Sequence, residues 1–157
     1  MNVATRLATP DDLEELVRLY RLLAAEMHSY HRMWELADGL SEPVPQALAE
    51  ALEDPDTVIY VGTIDQVIFG FVLARSEALL SQAGGERIGS IRFIFTELEA
   101  REVGVGEAMR DAVLEHLREG GHRMFDAHVL PGHRLVKNFF ESGGFSARSI
   151  VMHHRDD

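Results

Sequence analysis

Alternation opens the chain. In "NVATRLAT", Val3, Thr5 and Leu7 fall on every second position, which predicts a first strand. The period then lengthens. Leu13, Leu16, Val17, Tyr20, Leu23, Ala24 and Met27 in "TPDDLEELVRLYRLLAAEM" form the apolar stripe of a helix. Thr9 suits its cap, Pro10 its first position, and Asp12 completes a pattern like a capping box. "HSYHRMWELADGLSEPV" mixes His, Tyr and Trp without a period. "PQALAEALED" predicts a short second helix, stopped by Asp54-Pro55.

Strand patterning resumes in "TVIYVGTIDQVIFGFVLARSE", read as two strands around a tight turn at Asp65 and Gln66. "SQAGGER" is a loop and "IGSIRFIFTELEA" a further strand. "GVGEAMRDAVLEHLREGG" predicts a second strong helix, with Val105, Met109, Ala112, Val113 and Leu117 on one face and Gly120-Gly121 at its end. Next come a strand in "HRMFDAHVL" and a helix in "PGHRLVKNFFESGG", with Leu135, Val136, Phe139 and Phe140 inward. "FSARSIVMHHR" reads as a last strand. The order β α α β β β α β α β suggests a mostly antiparallel sheet carrying helices, with one late βαβ step.

Composition narrows the function classes. The 157 residues fit one domain, spanning 1–157, and 46% hydrophobic residues is an ordinary globular value. No apolar run is long enough for a membrane span, and the N-terminus lacks the basic and apolar regions of a signal peptide. With no cysteine there are no disulfides or thiolate metal sites, which is compatible with the cytoplasm. A net charge of −11 argues against a nucleic-acid surface and against attraction to anionic membranes. An anionic ligand then needs a local site of backbone N–H groups and a few arginines. The eight histidines do not change this: Asp126, His128 and His133 match no metal-ligand spacing, so no metal is expected.

"EAREVGVGEAM" raises the chemical question, because glycine at a helix start costs about 1 kcal/mol against alanine. One reading is a dinucleotide loop, with Asp126 near the place of a ribose-binding acid. Met109 in the third glycine position, a long lead-in from Phe95 and the short chain after Asp126 all oppose it. A second reading is a helix start with no ligand. A third is a diphosphate cradle, in which Val103, Gly104, Val105, Gly106 and Glu107 offer uncovered N–H groups at a helix N-terminus and Arg101 adds a cation.

At this point the sequence resembles the GNAT superfamily of N-acyltransferases. Arg101, Gly104 and Gly106 fill the defined positions of its acyl-CoA-binding motif, R/Q-x-x-G-x-G/A after a central strand, and "NFFESGGF" resembles its late helix ending in Gly144-Phe145. The order of elements resembles the family over nearly the whole chain. The resemblance implies an α+β fold: a mostly antiparallel twisted sheet of about six to seven strands, flanked by about four helices and splayed at two central strands.

For function, the resemblance implies an enzyme that transfers acetyl from acetyl-CoA to a primary amine by direct attack, in the cytoplasm, with a homodimer as an open option. The pantetheine arm would pair with the backbone at Phe95 and Thr96, and the diphosphate would sit on the Val103–Glu107 amides beside Arg101. Family members often place an Asn in the slot occupied here by His133, with Asn138 further along, so both are candidate donor contacts. The family's acid tyrosine, four residues before the Gly-Phe pair, is Phe140 here. An alternative is therefore a CoA-binding regulatory module, or one with weak turnover. Ser90 and Arg92 stand where relatives often carry a glutamate; His128, with a suitable ordinary pKa, and Glu97 are the candidate catalytic groups. Glu26, Glu35 and Asp38, among aromatics, suit either a cationic acceptor or core packing with surface charge.

Overall fold

The computed structural model describes residues 1–157. Its strands are β1 (Val3–Leu7), β2 (Thr57–Ile64), β3 (Val67–Ala78), β4 (Arg87–Thr96) and β5 (Met124–Ala127). Its helices are α1 (Leu13–Tyr30), α2 (Trp34–Ala37), α3 (Val44–Glu53), α4 (Val105–Glu119) and α5 (Arg134–Ser142). The strands form one sheet in the order β1-β2-β3-β4-β5. Only the β4–β5 pair is parallel, and α4 provides its crossover. This is the expected mixed α/β architecture with a mostly antiparallel sheet.

The counts differ from expectation. Five strands form rather than six to seven, because residues 145–157 adopt no regular structure. Ile150, Val151 and Met152, read as the heart of a last strand, are 73%, 87% and 88% exposed. Strand-like patterning alone supplies no ladder partner, and these residues bury nothing. Five helices form rather than about four, the extra one being the single turn at Trp34–Ala37. Leu135, expected inward, is exposed on the first turn of α5, where Val136, Phe139 and Phe140 make the contact face.

Both faces of the sheet are covered, which explains the near-continuous apolar run of β2 and β3. Ile59, Val61, Phe71 and Leu73 pack against Leu16, Leu19 and Leu23 of α1, Trp34 of α2 and Leu48 of α3. Their neighbours Val58, Val72 and Ala74 pack against Val105, Met109, Val113 and Leu117 of α4 and Phe140 of α5. The β2–β3 turn is tight, with Asp65 and Gln66 at φ 49° and 73°. At the other end of β1, Arg6 makes a two-pronged contact with Asp12 at 2.8 and 2.9 Å. Asp12 also accepts the Thr9 N–H at 2.8 Å, the acidic half of the capping box. No helix is long and apolar enough to cross a membrane.

The alternation of β4 breaks at Arg92. Phe93 faces Leu73 and Ile91 faces Ala74, leaving Arg92 without an opposite residue. This bulge changes which face the following residues serve. Ile91 packs on the α4 side, whereas Phe93 and Phe95 pack on the α1 side. Nearby, β5 leaves β4. Their pairing ends at Ile91–Ala127, followed by one bond from the His128 N–H to the Ile91 carbonyl at 3.1 Å.

Candidate active site

Three parts meet where β4 and β5 separate. The first is the turn into α4. Gly104 caps the helix at φ 95°, and Glu102 sits at φ 68°. A Cβ on Gly104 would meet nothing within 4 Å, so the backbone conformation, rather than space, calls for glycine there. Gly106 differs: a Cβ would come within 3.3 Å of the Phe139 ring. None of the backbone N–H groups from Glu102 to Glu107 donates to an acceptor within the chain. Their run ends in the first turn of α4, where helix geometry leaves donors free and the dipole is positive. Val103, Gly104, Val105, Gly106 and Glu107 are thus brought together as a nest of donors.

The turn is anchored behind. Arg110, only 9% exposed, donates to the Phe139 carbonyl at 2.9 Å and to Asp111 at 3.0 Å, with its guanidinium 4.8 Å from the Phe139 ring centroid. It ties α4 to α5. In sequence it reads only as a charge on the helix.

The second part is Arg101. Its Nε donates to the Thr96 carbonyl at 2.8 Å, and its Nη2 lies 3.1 Å from Glu26 Oε1. The guanidinium also rests 5.4 Å from the centre of the Phe95 ring. Its cation therefore faces α1. Around it lies an open cleft of about 380 Å³, lined by Leu22, Glu26, Phe95, Glu97, Leu98, Glu99 and Arg101. Glu97 forms an ion pair with Arg18 at this cleft.

The third part is the gap between the strands. Free space there is only about 20 Å³, walled by Arg92, Phe93 and Ile94 of β4, by His128, Val129, His133 and Val136, and by Leu23, Met27 and Trp34. His128 Nε2 is 3.0 Å from the Ser90 hydroxyl. Burial, then the Arg92 charge, push the His128 pKa below its ordinary value, while Glu77, Asp126 and Asp38 pull the other way. Arg92 itself is paired with Glu77 at 3.2 Å. His133 caps α5 and stacks on Tyr30 at a ring separation of 4.4 Å. Its pKa too is lowered, by burial first and by Arg101 against Glu26. Asn138 is exposed further along α5. Phe140 is 3% exposed, between Phe139 and Phe145. Of the expected acceptor acids, Glu26 holds Arg101 and Glu35 contacts His28 at 2.7 Å.

A sequence profile described as the acetyltransferase (GNAT) family matches residues 14–145. The chain belongs to the GNAT acetyltransferase family. No curated protein matches this GNAT chain by sequence. Its fold recurs in solved structures at low identity. Over 100% of this chain and 99% of theirs, it is 18% identical to AAC(6')-Iy in complex with the bisubstrate analogue CoA-S-monomethyl-acetylneamine, at a TM-score of 0.75. A transcriptional regulator from Bacillus halodurans C-125 is 22% identical over 98% of this chain and 100% of its own, at 0.77. An aminoglycoside acetyltransferase from an uncultured soil metagenomic sample, in complex with trehalose, is 15% identical over 99% and 95%, at 0.74. The GNAT motif residues Arg101, Gly104 and Gly106 all lie between the end of β4 and the first turn of α4.

Proposed function

We propose that this chain transfers acetyl from acetyl-CoA to a primary amine by direct attack. The observation that carries the reading is the run of unshared N–H groups from Glu102 to Glu107 at the turn from β4 into α4. A diphosphate suits it: several free donors are adjacent where the helix dipole is positive, without a basic surface. Phe95 and Thr96 would flank the pantetheine arm, and His133 would face it from the start of α5. Asn138 and Glu97 are lesser candidates, since one is exposed and the other is committed to Arg18.

His128 is the proposed general base. Burial favours its uncharged form, it lines the gap, and its ring is oriented by Ser90. It would accept the amine proton as nitrogen attacks the thioester carbonyl. Collapse of the tetrahedral species would break the carbon–sulfur bond and release the thiolate, with water supplying its proton. Of the carboxylates around His128, Glu77 is paired with Arg92 and Asp126 with Arg148, which leaves Asp38 to favour a cationic acceptor. A ribosomal-protein-alanine N-acetyltransferase from Brucella melitensis biovar Abortus 2308, 16% identical at a TM-score of 0.70, shares the fold. The decisive assay is free-thiol release from acetyl-CoA over an amine panel: acceptor-dependent release above hydrolysis supports the reading, and its absence with all amines opposes it.

Phe140 favours a second reading, a CoA-binding module with weak or no turnover. Its enclosed ring offers no proton where family members carry a tyrosine. Phe140→Tyr separates the two, because a large rise in kcat would make the missing acid the cause of slow transfer. Pairing of two copies through the C-terminal segment is a separate proposal, supported by the exposed Ile150, Val151 and Met152 and tested by light scattering.

A further inference from the structure

The gap between β4 and the start of α5, next along β4 from the proposed arm contacts at Phe95 and Thr96, is narrow. Ligand clefts are commonly hundreds of cubic ångströms, and this one has about 20 Å³. Leu23 and Met27 of α1 help to fill it. The same helix is fastened to both lips. Glu26 reaches Arg101 on the β4 side, at 3.1 Å. Tyr30, one turn later on the same helix face, stacks on His133 on the α5 side, at 4.4 Å. The end of α1 therefore spans the mouth of the gap.

The Glu26 contact involves the cation that the acyl-CoA motif supplies. Arg101 has one carboxylate partner, and it is Glu26. Both side chains remain partly exposed, at 33% and 26%, so the pair is accessible to exchange rather than locked in the core. A carboxylate and a diphosphate make the same demand on a guanidinium, namely planar donors facing anionic oxygens.

We propose that Glu26 is an internal anion that competes with the donor's diphosphate for Arg101, and that its release frees the end of α1 to open the gap. Glu26 is then a determinant of donor affinity that acts against binding. The proposal rests on the reading of the Glu102–Glu107 turn as the diphosphate site.

The test is a calorimetric cycle with CoA on four proteins: wild type, Glu26→Gln, Arg101→Ala and the double variant. Gln keeps the size of Glu and removes its charge. The expected result is about three- to fivefold tighter CoA binding in Glu26→Gln, as loss of a partly exposed ion pair implies. In the Arg101→Ala background the same change has no effect. Glu115→Gln, which neutralises an exposed carboxylate further along α4 and outside the cleft, leaves affinity unchanged. Glu26→Ala repeats the measurement with the side chain removed. Equal tightening with and without Arg101 would show a general charge effect and overturn the proposal. So would unchanged or weaker binding by Glu26→Gln. Absence of CoA binding by wild type and all variants would instead remove the donor reading itself, and this proposal with it.

Discussion

The imidazole of His128 is 3.0 Å from the hydroxyl of Ser90, a side chain with no solvent exposure. The contact joins β4 just before its bulge to the segment where β5 departs. It fixes the imidazole in the wall of the gap, where burial lowers its pKa.

Activity should therefore fall on the acid side with an apparent pKa below the ordinary histidine value of about 6.5. His128→Gln is expected to lower kcat by about 100-fold or more and to abolish that limb. CoA affinity by calorimetry stays unchanged. A pH profile that keeps its acid limb in His128→Gln would exclude His128 as the base.

Stability should follow the same groups. His128 and His133 both have folded pKa values below their unfolded ones, with burial the leading cause. The unfolded chain thus binds more protons in the window between these values. Their contribution is fully present above about pH 6.5 and is lost as pH falls through the lowered folded values. Urea unfolding between pH 8 and 5 measures it, and His133→Asn should flatten part of the slope.

Asp12 sets a different term. It accepts from Arg6 twice and from the Thr9 N–H, and the Arg6 contact leads in holding its pKa below the usual carboxylate range. Asp12→Asn is expected to cost about 1–2 kcal/mol of stability, as for loss of a helix cap with a charged acceptor. Chemical denaturation reads this directly.

The glycines of the turn should separate strain from binding. Gly104→Ala places a Cβ at φ 95° with no steric neighbour, so about 1–2 kcal/mol of backbone strain is expected. Gly106→Val crowds Phe139 and covers the donor nest, and should abolish CoA binding while far-UV circular dichroism stays native. Retained CoA affinity in Gly106→Val would contradict the cradle.

Much of this arrangement is legible along the chain, where local physics decides it. Val105, Met109, Val113 and Leu117 announce α4 by period, and Gly104 announces the turn because its backbone needs glycine. The bulge is not legible. Strict alternation puts Ile91 on one face with Phe93 and Phe95, and only pairing with β3 reveals that Arg92 divides them. Contacts between distant segments are equally silent. Glu26 and Arg101 are separated by 75 positions, and nothing in either local pattern selects the other. The C-terminal segment misleads in the opposite way. "SIVM" has strand character, yet the contact that ties it to β5 is the exposed Arg148 on Asp126.

The central claim is that the turn from Glu102 to Glu107 binds the diphosphate of an acyl-CoA. The most direct measurement is an amide nitrogen–proton NMR titration of the ¹⁵N-labelled protein with acetyl-CoA. The account predicts saturable shifts that are largest at Val103, Gly104, Val105, Gly106 and Glu107, with a second group at Phe95 and Thr96. Saturation with the largest shifts elsewhere, or no saturable shift at millimolar ligand, would contradict it.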